Sequence, residues 1–178
     1  IDPHDRDTLT ALGDKYRELG RWNDLINVLT WDADASTEPA RRVRIYLRVA
    51  ELWLSQFSNH NQAAGPLEKV LEIDPHNQPA LTLLRDIYER KRAWRQLFEV
   101  MKKQRSAAKV AGADEGVVVT LTLSLAGLAA DRLHRYADAV ALYREVTELG
   151  HAHADAALDA IPEGRRVVGL IYARGSRQ

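Results

Sequence analysis

The chain has 178 residues, and its 25 basic and 25 acidic side chains give a formal net charge of zero, which offers no general attraction to nucleic acid or to an anionic membrane. Apolar residues make up 46% of the sequence and charged residues 28%, and this balance excludes a disordered chain. The absence of cysteine excludes a disulfide framework, a zinc site with cysteine ligands and a thiol nucleophile.

The first twenty residues contain neither the basic start nor the apolar stretch of a signal peptide. This slightly favours the cytoplasm and leaves the compartment open. Arginine outnumbers lysine, which is typical of GC-rich bacterial genomes.

Internal repeats are the strongest feature of the sequence. Residues 1–29 and 73–101 share 12 identities in 29 positions, beginning with Ile-Asp-Pro-His, at a shift of 72 residues. A weaker similarity at a shift of 76 links the segments that follow each of these stretches. It matches Leu47, Ala50, Leu52, Ala63, Val70 and Glu72 with Leu123, Ala126, Leu128, Ala139, Val146 and Glu148. The chain therefore consists of a duplicated unit, and each copy contains two related pieces.

Each piece has the apolar pattern of two helices. In the first piece the apolar residues recur every three or four positions from Leu9 to Leu19, and Gly20 stands where a helix C-terminus favours glycine. A second apolar stripe begins at Trp22. Between the second and third pieces, Pro75 ends one helix and Asn77 can cap the next.

The segment from Val117 to Ala130 is ambiguous in isolation. Its apolar residues alternate with small or polar ones, as in a strand, but the repeat register places it on the helix that begins the second piece. We therefore predict a helix buried on several sides. The run is shorter than the roughly 20 residues of a membrane span.

In the first piece, Leu12-Gly13, Tyr16 and Gly20-Arg21-Trp22 resemble the motif of tetratricopeptide repeats. The second piece ends on the typical Leu71–Pro75, and the fourth has Ala137–Val140. The resemblance covers about residues 1–150 and is to a divergent, bacterial-type array. It implies an all-α, right-handed superhelical solenoid of about four antiparallel helix pairs. The expected repeats span about 5–36, 40–76, 77–112 and 114–150.

The ends of the sequence lead to two further expectations. Residues 151–178 form either a C-terminal capping helix or helices, or the start of a further degenerate repeat. Ile1-Asp2-Pro3 resembles the tail of a preceding repeat, so we expect the chain to be a piece of a longer protein.

The spacing departs from the family's regular step. The surplus residues fall in 30–39 and 106–114, which predicts longer connections or extended helix ends there. The family also places small residues where the two helices of a pair approach most closely. Its register predicts the facing pairs Gly13 with Leu25, Glu51 with Ala63, Arg85 with Leu97, and Gly127 with Ala139.

No catalytic motif, cofactor-binding motif or metal-ligand spacing is present, so we expect no enzyme activity, no cofactor and no metal. Of the four tryptophans, Trp22, Trp53 and Trp94 are expected in the core, whereas Trp31 lies in a surplus segment and could be an exposed anchor.

Charge is unevenly distributed along the chain. Residues 1–36 carry a net charge of −4 and residues 73–110 carry +5. The basic stretch from Arg85 to Lys109 includes Lys102, Lys103, Arg105 and Lys109 at one helix end. The helix dipole favours cations there, and this interpretation is preferred to a recognition patch.

The resemblance implies a protein–protein interaction module whose first helices line a concave groove for a peptide or partner protein. The groove is expected to lean acidic, so the partner should be basic or mixed in charge. One alternative is a regulatory or structural scaffold segment that packs on flanking domains of a larger protein. RNA binding is disfavoured by the irregular repeats and neutral charge. The groove candidates are Thr10, Asp14, Arg17, Arg48, Leu52, Ser55, Thr82, Asp86, Glu89, Ser124, Leu128 and Asp131.

Overall fold

A computed structural model describes residues 6–149, and over that range the chain is all-α, with eight helices and no strand. This confirms the predicted fold class of consecutive helices. The expected cap at 151–178 and the motif at Ile1-Asp2-Pro3 lie outside the described residues. The helices are α1 (Arg6–Glu18), α2 (Trp22–Ala35), α3 (Pro39–Phe57), α4 (His60–Ile73), α5 (Gln78–Arg90), α6 (Trp94–Val110), α7 (Glu115–Asp131) and α8 (Tyr136–Leu149).

The chain forms two compact units, of which the first ends at Ile87 and the second begins at Tyr88, within α5. In the first unit α1 packs against α2, α2 against α3 and α3 against α4. Leu25 and Val49 are at the centre of its core, and the half-buried Trp22 and Trp53 pack against them. An added Cβ on Gly13 would lie 3.5 Å from Leu25 Cδ1, so this predicted facing pair does meet.

In the second unit α6 packs against α7, and α7 against α8. The ambiguous apolar run is helix α7, as the repeat register predicted. Its Thr122 is fully buried, and the hydroxyl donates to the Val118 carbonyl oxygen at 2.7 Å, which satisfies the polar group inside the core. None of the described helices combines the length and the apolarity needed to cross a membrane.

The duplication is visible in the backbone at the end of α1 and at the end of α5. Gly20 has φ 66° and Arg92, at the shift of 72, has φ 53°. In both copies the next residue donates its amide to a carbonyl five residues earlier, at 2.9 Å: Arg21 to Tyr16, and Ala93 to Tyr88. This is the Schellman ending of a helix, with the left-handed residue just beyond the last turn.

The weaker similarity at a shift of 76 has its own backbone signature. Ser58 has φ 48° and His134 has φ 54°. The following residues, Asn59 and Arg135, each donate their amide to a carbonyl six residues earlier at 2.8 Å. The second and fourth helix pairs therefore turn in the same way, although few of their side chains are identical.

The surplus residues are helical rather than looped for most of their length. Helix α2 continues to Ala35 and α6 continues to Val110, so extended helix ends, not longer connections, absorb most of the irregular step. The cap predicted for α5 is present, because the Ala80 amide donates to Asn77 Oδ1 at 3.2 Å.

The family register is wrong for two of the predicted close approaches. Glu51 is exposed, and the buried small residue of α3 is its neighbour Ala50, at 0% exposure. An added Cβ on Gly127 would come within 4.0 Å only of Asp131 in its own helix, while Ala126 is fully buried. A shift of one residue turns a side chain by about 100° around the helix, which exchanges a buried position for a peripheral one.

Candidate partner-binding surface

Three of the predicted residues form an exposed polar stripe on α1. Thr10, Asp14 and Arg17 follow each other at intervals of four and three residues, which places them on one face of the helix. Arg17 Nη1 donates to Asp14 Oδ1 at 2.9 Å. The positive and negative groups of this stripe therefore neutralise each other, and both side chains stay accessible to solvent.

Helix α3 carries a similar stripe with one member missing. Arg48 and Ser55 are exposed, and Arg48 Nη1 donates to Glu51 Oε2 at 3.1 Å. Leu52, however, is only 2% exposed and packs in the core with Leu25. No partner can reach Leu52 in this structure, so it is left out of the surface proposed below.

Helix α5 presents two exposed acidic residues together with the predicted Thr82. Thr82 and Asp86 are exposed in the first unit, and Glu89 is exposed in the second. Within the described part of the chain, neither carboxylate forms an ion pair. Asp86 is the repeat equivalent of Asp14, and both carboxylates are exposed at the corresponding position of the two copies.

In the second unit, the predicted residues of α7 form a less polar face. Ser124 and Asp131 are exposed, and Leu128 is half-buried. The Ser124 hydroxyl donates to the Thr120 carbonyl oxygen at 2.9 Å, so the helix itself uses its hydrogen. This face therefore offers one carboxylate and part of one apolar side chain.

A polar network that the sequence did not reveal joins α2, α3 and α4 in the first unit. The hydroxyl of the buried Tyr46 donates to Asp34 Oδ1, and Lys69 Nζ lies 3.1 Å from the same oxygen. Partial burial raises the pKa of Asp34, but the Tyr46 hydroxyl and the Lys69 ammonium outweigh it and hold that pKa below its ordinary value. Arg41 binds Asp32 beside this network at 2.7 Å.

The second unit has a corresponding network with opposite signs. Glu145 on α8 accepts from Arg105 at 2.8 Å and from Lys109 at 2.5 Å, both on the extended end of α6. Partial burial raises the pKa of Glu145, and the two cations lower it further than burial raises it. The helix dipole alone is thus not what holds these basic residues, because they have a specific partner.

Comparison of the two networks shows why sequence identity does not detect them. Glu145 lies 76 residues after Lys69 and is its repeat equivalent. The lysine binds an acid on the extended α2, and the glutamate binds cations on the extended α6. In both units an ion pair joins one helix pair to the next, but the signs of the two charges are exchanged. A comparison that counts only identical residues therefore records these positions as different.

The apolar surface contributes one prominent side chain. Trp31 is 58% exposed on α2, in agreement with its position in a surplus segment. Among the described residues, no group of three or more histidine, aspartate or glutamate side chains could hold a metal ion. The exposed groups named above can form hydrogen bonds, ion pairs and an apolar contact with a macromolecular partner.

Comparison with solved structures yields distant likenesses only at the level of the fold. No family model matches the sequence, and no curated protein matches it. Two crystal structures of MamA are similar to the chain. The first has 16% identity and a TM-score of 0.49, over 90% of this chain and 82% of that one. The second has 15% identity and a TM-score of 0.46, over 89% of each chain.

Proposed function

We propose that the chain is a protein-binding module of the tetratricopeptide type, and that the exposed faces of α1, α3 and the first-unit part of α5 bind a partner segment. The single observation that supports this most is the pair of equivalent carboxylates. Asp14 and Asp86 are both exposed after duplication, at a helix position that no core contact dictates. A carboxylate that stands exposed at the same helix position in both copies can make the same contact with a partner twice.

The charges of this surface define the class of partner. On α1 and α3 the cations Arg17 and Arg48 are already bound to acids of their own helices. Asp86 has no such partner within the described residues, so the free charge of the surface is negative. A peptide or protein segment with lysine or arginine, or with mixed charge, fits this surface best.

The experiment is a selection of short random peptides on the immobilised chain, followed by affinity measurement. We expect enrichment of lysine- and arginine-containing peptides. The double variant Asp14→Arg/Asp86→Arg should lower their affinity at least about fivefold, because the free carboxylate of Asp86 becomes a cation and Arg17 loses the carboxylate that neutralises it. Circular dichroism checks that the variant keeps its helices.

A matched control carries the same change in net charge on second helices. Glu72→Arg/Glu99→Arg replaces two exposed acids on α4 and α6 and should leave the affinity within about twofold. Equal losses in both double variants would mean that net charge alone matters. Unchanged affinity in Asp14→Arg/Asp86→Arg would contradict the proposed surface.

Trp31 supports the alternative of a scaffold segment that packs on a neighbouring domain. A tryptophan that is more than half exposed offers a large apolar contact area to a neighbouring part of a protein. In that case the immobilised chain would select no peptides, and Trp31→Ala would weaken the association with the flanking domain.

A further inference from the structure

Two turns of the second unit carry a concentration of positive charge. The α5–α6 turn (residues 90–95) and the α7–α8 turn (residues 131–136) flank the helices α6 and α8 at their N-termini. We call the exposed cations of these two turns the basic edge. Its members, all exposed, are Arg90, Lys91, Arg92, Arg95, Arg132 and Arg135.

Contacts between the two turns bring these cations together. Arg132 Cζ lies 5.3 Å from the centroid of the Trp94 ring, and Arg135 Cζ lies 4.6 Å from the centroid of the Phe98 ring. Both aromatic residues belong to the first turns of α6. The arginines of the α7–α8 turn are thus placed against the helix that begins at the α5–α6 turn, and the basic edge is one continuous surface.

Most of this charge is not neutralised. Arg135 Nε binds Asp138 Oδ2 at 2.5 Å. Across the described residues, none of the other five cations forms an ion pair. Glu89, which precedes the α5–α6 turn, and Asp131, the first residue of the α7–α8 turn, likewise form none among the described residues. The edge therefore keeps a net positive charge in contact with solvent.

The first unit is an internal control, because its equivalent turns have the same backbone and little charge. The charged side chains of residues 18–23 are Glu18 and Arg21. The charged side chains of the equivalent residues 90–95 are all basic. Residues 55–60 contain no lysine, arginine or acid, where 131–136 contain two arginines and one aspartate. The fold of these turns evidently does not require the cations of the second unit.

One of these cations even occupies a position that is unfavourable for an arginine. Arg92 has φ 53°, whereas the first copy has glycine at the equivalent position, with φ 66°. The left-handed region disfavours a residue with a Cβ relative to glycine. The backbone of this turn therefore does not by itself favour an arginine at this position.

The helix dipole does not account for the pattern. Arg90 lies in the last turn of α5, where a cation is favourable, but Arg95 lies in the first turn of α6, where it is unfavourable. The helix dipoles therefore do not explain why cations stand on both sides of the turn.

We propose that the basic edge is a docking surface for an acidic segment of a partner protein, rich in aspartate and glutamate. Five of its six cations are arginines, whose planar guanidinium groups bind carboxylates through two parallel hydrogen bonds. The surface is independent of the one proposed on the first unit, which attracts the opposite charge.

The extent of the basic edge favours a peptide over a nucleic acid. Nucleic-acid binding draws on many phosphate contacts along a continuous positive track. Further along α6, Lys102 is paired with Glu99, and Arg105 and Lys109 with Glu145, so the density of unpaired positive charge falls along the helix. A short acidic segment matches a surface of this size.

The test measures the binding of a fluorescein-labelled glutamate-rich peptide to the chain by anisotropy, at low and at high salt. We expect binding at low salt that weakens as salt screens the charges. The variant Arg90→Glu/Arg92→Gly/Arg95→Asn introduces the residues of the first copy, which are compatible with the same turn. It should weaken binding at least about tenfold, because the peptide loses several charge pairs.

The matched control is Lys103→Glu/Arg144→Glu, which changes the net charge by the same amount. Both side chains are exposed and lie nine residues beyond Trp94 and Arg135, or about 13 Å along the helices. Binding in this variant should stay within about twofold of the parent. Equal losses in the two variants, or no peptide binding by the parent at low salt, would overturn the proposal. Tighter binding of a single-stranded oligonucleotide with the same dependence on Arg90, Arg92 and Arg95 would overturn the acidic partner.

Discussion

At the scale of single residues, the positions with positive φ show which backbone conformations can be predicted from the sequence and which cannot. Gly20 is predictable as the end of α1 because glycine is the residue that adopts a left-handed conformation at little cost. Arg92 is not predictable in this way, since arginine normally avoids that conformation. The left-handed conformation of Arg92 can be predicted only from the shift of 72 residues, which aligns Arg92 with Gly20.

The same pair of residues permits a stability test. Arg92→Gly removes the strain of a Cβ in the left-handed region and adds backbone entropy to the unfolded chain, for a net gain of about 0.5–1 kcal/mol. Gly20→Ala should lower the free energy of unfolding by about 1 kcal/mol for the converse reason. Urea denaturation followed by circular dichroism measures both, and a destabilised Arg92→Gly variant would show that the arginine side chain holds the turn in place.

At the scale of helices, the apolar spacing predicted the elements well and the closest contacts less well. For α7 the local alternation of apolar residues pointed to a strand, and the repeat register correctly predicted a helix. It placed Glu51 at a helix contact because motif spacing fixes a register only to about one residue. Ala50 is buried and Glu51 is exposed. This difference depends on how the neighbouring helices pack, which the motif does not specify.

The charge-inverted networks make a prediction at this scale. Lys69→Glu would place two carboxylates near each other at Asp34 Oδ1 and should lower the free energy of unfolding by about 1 kcal/mol. Adding Asp34→Lys restores the attraction with the signs that the second unit uses. The double variant should therefore recover to within about 0.5 kcal/mol of the parent, since both side chains are about half exposed and solvent screens the pair.

A double-mutant cycle in urea separates this coupling from the cost of each substitution. Lys15→Glu is the control, because Lys15 binds Glu18 only within α1 and both side chains are exposed. Its effect should be a few tenths of a kcal/mol. If Lys69→Glu and Asp34→Lys were simply additive, the network would have no role in holding α2 to α4.

At the scale of the whole molecule, the zero net charge is a sum of opposite local surfaces. The first unit exposes acidic groups on α1 and α5, and the second unit exposes the basic edge. The division of the chain at Ile87 was not foreseen, because the repeat pattern runs through α5 without interruption. The candidate residues on α1 and α3 follow from the register of the tetratricopeptide resemblance, whereas the basic edge becomes visible only when the equivalent turns of the two copies are compared.

Both units should lose stability in acid through the same kind of group. Asp34 in the first unit and Glu145 in the second have pKa values held below their ordinary values, by the Tyr46 hydroxyl with Lys69 and by Lys109 with Arg105, against the opposing effect of partial burial. A carboxyl group whose pKa is lower in the folded than in the unfolded chain contributes stability above its unfolded pKa. That contribution disappears over the interval in which the pH falls from the ordinary pKa, 3.8 for Asp34 and 4.5 for Glu145, through the lower pKa of the folded chain.

The free energy of unfolding, measured in urea at several pH values, should therefore decline over this interval. The variants Asp34→Asn and Glu145→Gln should each be less stable than the parent near neutral pH and should each show a shallower decline. The effect of Asp34→Asn should be about 0.5 kcal/mol because its side chain is half exposed, and that of Glu145→Gln should be larger, about 1 kcal/mol, because Glu145 is less exposed and binds two cations. Curves parallel to that of the parent would show that neither carboxylate has a lowered pKa in the folded chain.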